Sequence, residues 1–399
     1  MPDKPTVNIA LIGQKFMGRA HSNAWGQVLR FFDVPVIPIQ YAVCAKPIEQ
    51  QELDEFGPRW LWLQQCTNWR KMLKDPAIDL VDIVTPNNMH AEMSIAALQA
   101  GKHVACEKPM ARTLEEGRAM AQAARKHPRQ KTYVWYCYRR VPAVALAHQL
   151  VRAGRLGQIR HVRASFLQDW ATPEVPLMWR FDKNVAGSGS HGDLNAHIID
   201  LARFITGQEI VEITGSAMTT FVKERMLPTA GSAGGIAAGA KGSRKKGKVT
   251  VDDAVLALAR LEGGGLASFE ATRFATGNQN RNAIEINGEK GAIRFNFERM
   301  NELEFYDATA DRKTQGWTTI MVTHGGSHPY VEHWWPDAHV LGYEHTFTNM
   351  AYDILLDLAG EKPTVPLPDF NDAYQTQRVL AAMAIAAKEK SWVKLSQVK

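Results

Sequence analysis

The sequence predicts a two-part protein: an α/β domain with a parallel sheet over residues 1–130, then a domain built on an antiparallel sheet over residues 131–399. Three observations carry this. Short apolar runs alternate with helical patterns as far as Thr132–Tyr136, the order expected of βαβ units. Gly13 and Gly18 stand between the first strand pattern and the first helix pattern. Beyond Val141 the strand patterns lengthen and several alternate apolar with polar residues, as half-buried antiparallel strands do.

Val7–Ile12 reads as the first strand and Ala20–Leu29 as the first helix. Val36–Cys44 is strand-like, with Pro38 expected to confine pairing to Ile39 onward. Trp69–Leu73 suits a helix, Leu80–Thr85 a buried strand, and His90–Ala100 a helix stopped by Gly101. His103–Cys106 is a strand, Leu114–Lys126 a helix and Thr132–Tyr136 a strand. In the second part Val141–Ala153 is helical. Strands are then expected at Ile159–Leu167, Ile210–Phe221, Ala254–Leu261, Leu266–Thr272, Ala283–Asn287 and Ala292–Phe297. Asn287-Gly288-Glu289-Lys290-Gly291 is a hairpin-type turn between the last two. Residues 227–248, rich in Gly, Ser and Ala, are expected to form a flexible loop. The helices Tyr343–Leu358 and Asp369–Glu389 are assigned to the second domain, whose sheet leaves one face for a ligand or a subunit partner.

A chain of 399 residues exceeds one ordinary core, and 45% hydrophobic with 22% charged residues describes a globular protein. No window offers the ~18 consecutive apolar residues of a membrane span, and Met1-Pro2-Asp3-Lys4-Pro5 lacks a signal-peptide pattern, so the cytoplasm is expected. Cys44, Cys66, Cys106 and Cys137 show no metal-type pairing and read as reduced, mostly buried thiols; no metal site is expected. The net charge of +6 has a local contribution from Ser243-Arg244-Lys245-Lys246-Gly247-Lys248. A basic loop without interleaved aromatics is no nucleic-acid face, although it can concentrate an anionic substrate.

Gly13-Gln14-Lys15-Phe16-Met17-Gly18 keeps the outer glycines of a dinucleotide fingerprint and replaces the middle one with Lys15. Gly13 suits the tight turn, Gly18 suits close helix packing, and the helix start favours a pyrophosphate, which Lys15 could also touch. The second strand ends Cys44-Ala45-Lys46, without the usual ribose-binding carboxylate. NAD is the expected cofactor, with NADP the alternative because a lysine can accept a 2′-phosphate. Thr85, Pro86, Asn87 and His90 follow a strand facing the same crevice, and they also describe a polar loop capping a helix. Glu107-Lys108-Pro109 follows another such strand. Alone, that tripeptide fits a solvated turn equally well; at the carboxyl end of a parallel strand it aims a cation at the ligand crevice.

A second constellation opens at Gly192-Asp193-Leu194-Asn195-Ala196-His197. At about 100° per residue, Asp193, His197 and Asp200 share a stripe, while Leu194, Ile198, Leu201 and Ile205 form an apolar one. Such a histidine can act as general base near neutral pH; a solvated helix face is the plainer reading. Trp179-Arg180 precedes this helix, and His328, Trp334-Trp335 and His339 lie further on. Aromatic rings here can stack on sugar faces or simply fill a core.

Taken together, Gly13 with Gly18, Thr85-Pro86 with His90, Glu107-Lys108-Pro109, and Asp193 with His197 resemble the Gfo/Idh/MocA family of sugar and inositol oxidoreductases. Gly342-Tyr343-Glu344-His345 and the tryptophan-rich segment before it resemble that family's levoglucosan dehydrogenase-like branch. The resemblance implies an α/β N-terminal Rossmann domain with a parallel sheet, and an α+β C-terminal domain with a large, mostly antiparallel open sheet. It implies a homo-oligomer, dimer or tetramer, formed through that sheet, and a small carbohydrate substrate. It assigns Lys108, Asp193 and His197 to catalysis, and hydride transfer between a pyranose ring hydroxyl, C3 in that branch, and nicotinamide. Gly13, Lys15, Phe16, Met17, Gly18, Ala45, Lys46, Thr85, Pro86, Asn87, His90, Glu107 and Lys108 are then expected at the cofactor. Lys108, Trp179, Arg180, Asp193, His197, His328 and Trp335 are expected at the sugar. An NAD-dependent glycoside hydrolase working by transient oxidation would use the same residues, on an acidic or sulfonated sugar among others; a non-catalytic sensor would not need all three. Asn195 stands where the family's Asp-x-Gly-x-His has glycine.

Overall fold

The computed structural model describes residues 4–229 and 242–398, and these divide into two compact units, Met1–Arg140 with Gly342–Tyr374, and Val141–Leu341 with Gln375–Lys399. The first unit begins β1 (Thr6–Ile12), α1 (Phe16–Phe31), β2 (Ile37–Cys44), α2 (Gln50–Arg59), β3 (Gln64–Cys66) and α3 (Trp69–Met72). It continues β4 (Leu80–Ile83), α4 (His90–Gln99), β5 (His103–Cys106), α5 (Leu114–Lys126) and β6 (Thr132–Val134). The six strands pair in parallel in the order β3-β2-β1-β4-β5-β6. Strand order reverses between β1 and β4, so the loops leaving their carboxyl ends diverge and open a crevice there.

Local chemistry explains the elements. Every residue of β4 is buried, as in a strand covered on both faces. A capping box starts α5: Glu116 N–H donates to Thr113 Oγ1 at 3.2 Å and Thr113 N–H to Glu116 Oε2 at 3.3 Å. Pro38 corrects one expectation, because β2 is paired from Ile37 and Pro38 lies opposite Val7. Ile37 N–H donates to Pro5 O toward β1, so the donor missing at Pro38 faces the other side. There β3 covers only Ala42–Cys44, and no ladder bond is lost.

The second unit contains α6 (Pro142–Arg152), β7 (Ile159–Leu167), α7 (Lys183–Ala186), α8 (Ala196–Thr206), β8 (Ile210–Thr219), β9 (Glu224–Pro228) and β10 (Gly242–Lys248). It continues β11 (Ala254–Leu261), β12 (Leu266–Thr272), β13 (Arg281–Gly288), β14 (Gly291–Asn296), β15 (Glu302–Asp307) and β16 (Trp317–Met321). Along the chain there follow α9 (Tyr343–Leu358), which belongs to the first unit, α10 (Phe370–Glu389), which starts in the first unit and continues into the second, and β17 (Val393–Lys394) of the second. Nine strands form a mixed sheet ordered β16-β15-β14-β13-β7-β12-β11-β8-β17, antiparallel except for the β7–β12 pair. Helices α6 and α8 pack on one face of it, against β7, β13, β14 and β15. The opposite face carries exposed Leu256 and Leu258 from β11.

Three expectations change. The first unit runs to Arg140 rather than 130, and it takes back Gly342–Tyr374, which the helical pattern at 343–389 had assigned to the second. The expected loop at 227–248 contains paired strand at both ends, since β9 and β10 form an antiparallel two-stranded sheet; residues 230–241 lie outside the described residues. Arg225 anchors β9, its guanidinium 3.9 Å over the Phe181 ring and donating to the carbonyls of Ala171, Thr172 and Val175. Among the described residues no helix is long and apolar enough to cross a membrane.

The return of α9 to the first unit rests on a dry ion pair. Arg140 Nε donates to Asp353 Oδ2 at 3.1 Å, both side chains wholly buried, and the same guanidinium donates to Val365 O and Pro366 O. Phe32 and Tyr352 add a ring contact at 4.5 Å. Removing one partner of a buried pair strands the other charge. Asp353→Ala is expected to lower the free energy of urea unfolding by about 3–5 kcal/mol, and an unchanged unfolding midpoint would show that the pair does not hold α9.

Candidate active site

The residues expected at a cofactor gather at the carboxyl ends of β1, β2, β4 and β5. Gly13 adopts φ +116°, and a Cβ there would meet Val84 O at 2.8 Å; a Cβ on Gly18 would meet Gly13 O at 2.6 Å. Both positions therefore demand glycine. Helix α1 opens after Lys15 with no side-chain cap and no acidic residue in its first turn, and the buried Gln14 Oε1 has no protein partner. Uncapped N–H groups at the start of a long helix, beside a backbone bared by two glycines, fit the pyrophosphate of a dinucleotide. Phe16 is exposed and Met17 half-buried at this edge.

Lys15 turns elsewhere. Its ammonium pairs with Glu52 and lies 3.6 Å from Glu49, rather than pointing to the phosphate site. Glu49 Oε2 also accepts a 3.4 Å bond from the N–H of Lys46, just past Ala45. Glu49, five residues beyond Cys44, therefore places a carboxylate just past the end of β2. Thr85, Pro86 and Asn87 follow β4 on the same sheet edge. His90, expected at the cofactor, has a different task. It is wholly buried with Nδ1 3.0 Å from Pro109 O and Nε2 2.9 Å from Thr85 O, and burial lowers its pKa. Both partners are carbonyl acceptors, so a neutral ring donates to one of them only and packs against the other.

Lys108 follows β5 at the same edge and is half-buried, with a cis peptide to Pro109. Glu107 also departs from expectation, since it points inward. Its Oε2 accepts the Lys108 backbone N–H at 3.1 Å and its Oε1 lies 3.0 Å from His21 Nε2. His21 Nδ1 lies 2.9 Å from Asp82 Oδ2, and the indoles of Trp25 and Trp135 donate to Asp82 at 2.8 and 2.9 Å. Burial alone would depress the His21 pKa; the charges and hydrogen bonds of Asp82 and Glu107 override it and raise it to about 9.

In the second unit, Asp193 sits in a π-helical turn, His191–Asn195, that leads into α8. The i→i+5 bonding breaks the 100° phase assumed for Asp193, His197 and Asp200, and such turns recur at functional sites. Asp252 secures the turn: Oδ1 accepts Gly189 N–H at 2.7 Å, and Oδ2 accepts Ser190 Oγ–H at 2.7 Å and His191 N–H at 2.8 Å. No side chain fits at Gly189, where a Cβ would lie 1.7 Å from Asp252 O. All of α8 is buried, which rules out the solvated helix face, the plainer reading of the stripe; His197 is 6% exposed and packs 5.8 Å from the Phe166 ring. Asp193 stays partly open at 24%, with Oδ2 3.4 Å from NH1 of the buried Arg273.

The remaining residues lie on two segments. Arg180 stacks on Trp179, 4.4 Å from the ring centre. His328 Nδ1 accepts the His324 N–H at 3.0 Å, His324 pairs with Asp337 at 3.1 Å, and Trp335 is exposed. Burial and then the His324 ring lower the His328 pKa, keeping it uncharged at neutral pH. Among the described residues no group of three or more His, Cys, Asp or Glu side chains is placed to hold a metal. Sequence reasoning missed Arg273, Asp252, Glu49 and His21. One available signal was Asp82, a carboxylate inside the apolar run Leu80-Val81-Asp82-Ile83, which has to find buried donors.

Two family models match the chain: an oxidoreductase family with an NAD-binding Rossmann fold over residues 7–135, and the GFO/IDH/MocA C-terminal domain over residues 144–294. Levoglucosan dehydrogenase of Pseudarthrobacter phenanthrenivorans is 40% identical over 98% of this chain and 99% of its own. An oxidoreductase domain protein from Kribbella flavida superposes with a TM-score of 0.90 at 46% identity, over 98% of this chain and 99% of that one. A levoglucosan dehydrogenase in complex with NADH and levoglucosan superposes with a TM-score of 0.89 at 38% identity, over the same shares.

The state of His21 gives the pH dependence its sign. A folded pKa of about 9 against 6.5 for the free side chain adds stability that is fully present below pH 6.5 and disappears as pH rises through about 9. The melting temperature is expected to fall across that window in the native chain, and to lose this part of its slope in His21→Gln. Equal slopes in a thermal-shift series would contradict a charged His21.

Proposed function

The chain belongs to the Gfo/Idh/MocA family of NAD-binding oxidoreductases, and on that premise we propose how it works as an NAD-dependent sugar dehydrogenase. The substrate is a pyranose of the levoglucosan type and the reaction is oxidation of one ring hydroxyl, with C3 the carbon we assign. The observation that carries this is Lys108 at the carboxyl end of β5, on the sheet edge that also presents the glycine turn. Bound NAD supplies the acceptor for the hydride leaving the sugar carbon.

Each residue then has a task. Lys108, with three N–H donors and partial burial, stabilises the negative charge that develops on the sugar oxygen. His197 accepts the hydroxyl proton, from a buried position that keeps bulk water away. Asp193 accepts hydrogen bonds from neighbouring hydroxyls, and Arg273 behind it orients the carboxylate. Half-buried Trp179, with Arg180 stacked on its ring, is the aromatic surface we assign to a sugar face. His328 and Trp335 complete the sugar-binding assignment. The four free cysteines fit work in a reducing compartment, the cytoplasm.

The face of the nine-stranded sheet opposite α6 and α8 fits a second copy of the chain. It presents Leu256 at 53% and Leu258 at 57% exposure within a depression of about 950 Å³, flanked by Arg163, Glu270, Glu285 and Arg294. Paired charges around exposed leucines suit a self-complementary contact. Leu256→Arg combined with Leu258→Arg is expected to reduce the mass measured by light scattering to that of one chain. The same oligomer mass in the double variant would place the interface elsewhere.

Lys108→Met is expected to bind NADH with unchanged affinity by fluorescence titration, while turnover of levoglucosan falls about 10²-fold or more. In the native chain, NADH should accumulate in step with sugar loss. Near-normal turnover in Lys108→Met would remove the lysine from the mechanism. Release of an aglycone from a glycoside without net NADH would convert the assignment to a glycoside hydrolase.

A further inference from the structure

We propose that His21 is a positioning residue for Lys108: it holds the Glu107 carboxylate against the Lys108 backbone N–H and thereby fixes where the lysine ammonium stands. The inference rests on the reading of Lys108 as the group that stabilises the sugar oxyanion.

The geometry is closed on every side. Both ring nitrogens of His21 face carboxylate oxygens, Asp82 Oδ2 at 2.9 Å and Glu107 Oε1 at 3.0 Å. An ionised carboxylate only accepts, so both nitrogens must carry hydrogen, and the ring is an imidazolium. Two buried carboxylates on opposite sides of one ring would repel each other without a charge between them. Trp135, 4.1 Å from the ring centre, and Phe347, 5.5 Å away, wall the ring without bringing charge. The groups near Glu107 on other elements are uncharged at neutral pH: burial raises the Cys106 and Cys137 thiols and lowers His90.

Glu107 passes this constraint to the active-site turn. One oxygen is fixed by His21 and the other receives the Lys108 N–H at 3.1 Å. Glu107 N–H donates to Ile83 O at 2.9 Å, and the far side of the turn is held where His90 meets Pro109 O. With His21 neutral or absent, Glu107 loses its cation and is free to turn away, releasing the Lys108 amide. A glutamine at position 21 is neutral and carries both N–H donors on one nitrogen, so it cannot stand between the two carboxylates as the imidazolium does.

The test is a double-mutant cycle combined with amide exchange on the full chain. His21→Gln should lower kcat about tenfold or more, the scale expected from misplacing a catalytic group, with the KM for levoglucosan and the NADH affinity near native. In a Lys108→Met background the same change should cost nothing further. Adding Glu107→Gln to His21→Gln should recover part of kcat, because the amide keeps an acceptor for the Lys108 N–H and removes the unpaired charge. Deuterium uptake at the Lys108 amide should rise in His21→Gln and fall back in the pair. Equal losses of kcat in both backgrounds, or unchanged exchange at Lys108, would overturn the proposal. Faster exchange together with a fully active Lys108→Met would instead show that His21 positions the turn and that the catalytic reading of Lys108 fails. If His21→Gln does not fold, Glu107→Gln alone carries both readouts, with slower Lys108 exchange than in Glu107→Ala expected and equal exchange overturning the role of the acceptor.

Discussion

The buried carboxylate of Asp82 is the fixed point of the first unit. It sits in β4 with no exposed surface, and it accepts hydrogen bonds from Trp25 of α1, from Trp135 after β6, and from the His21 ring. Burying one carboxylate costs several kcal/mol unless its oxygens are satisfied, so these donors are obligatory rather than ornamental. Their origins matter, because they tie the first helix and the chain beyond the last strand to the strand beside the crevice. Each loop at the carboxyl edge therefore leaves from a backbone braced at its root.

The sheet of the first unit was legible because its strands are short, apolar and bounded by turn residues. What escaped lacked that pattern. Strand β3 is Gln-Gln-Cys, and β17 has two residues; both are strands only because a neighbour offers its edge. Leu303 and Phe305 do alternate with Glu302 and Glu304 in β15, so that strand was visible and passed over. The helical pattern at 343–358 is correct in type but says nothing about which sheet it covers. The decisive feature is Asp353 opposite Arg140, a partnership 213 residues apart.

At the site, residues defined by position along the chain could be read, and residues defined by contact could not. Gly13 and Lys108 announce themselves by following strand ends, and Gly18 by its spacing from Gly13 in the first turn of α1. Arg273 also follows a strand, but nothing local marks it as the partner of Asp193, 80 residues away. The turn carrying Asp193 shows the same limit from another side. Periodicity assumes one residue-to-angle conversion, and Asp252 holds this segment in a π turn where that conversion fails. The polar stripe read along α8 is real in sequence, but the helix is buried on every side, so His197 and Asp200 belong to the interior rather than to a wet face.

Lys15 shows how a departure from a motif is accommodated by the fold. It adopts φ −77°, a value open to any L-residue, so its place in the loop does not require the glycine usually found there. Its side chain leaves the phosphate turn and meets Glu49 and Glu52 at the start of α2. Two carboxylates facing one ammonium leave that cluster negative, beside the end of β2 where an adenosine ribose is read. A second phosphate on that ribose would have to approach Glu49 and Glu52, whereas two hydroxyls would find an acceptor in Glu49. The missing glycine and the missing carboxylate are therefore one arrangement: the lysine that replaces the first is held by the residues that make up for the second, and the pair favours NAD over NADP.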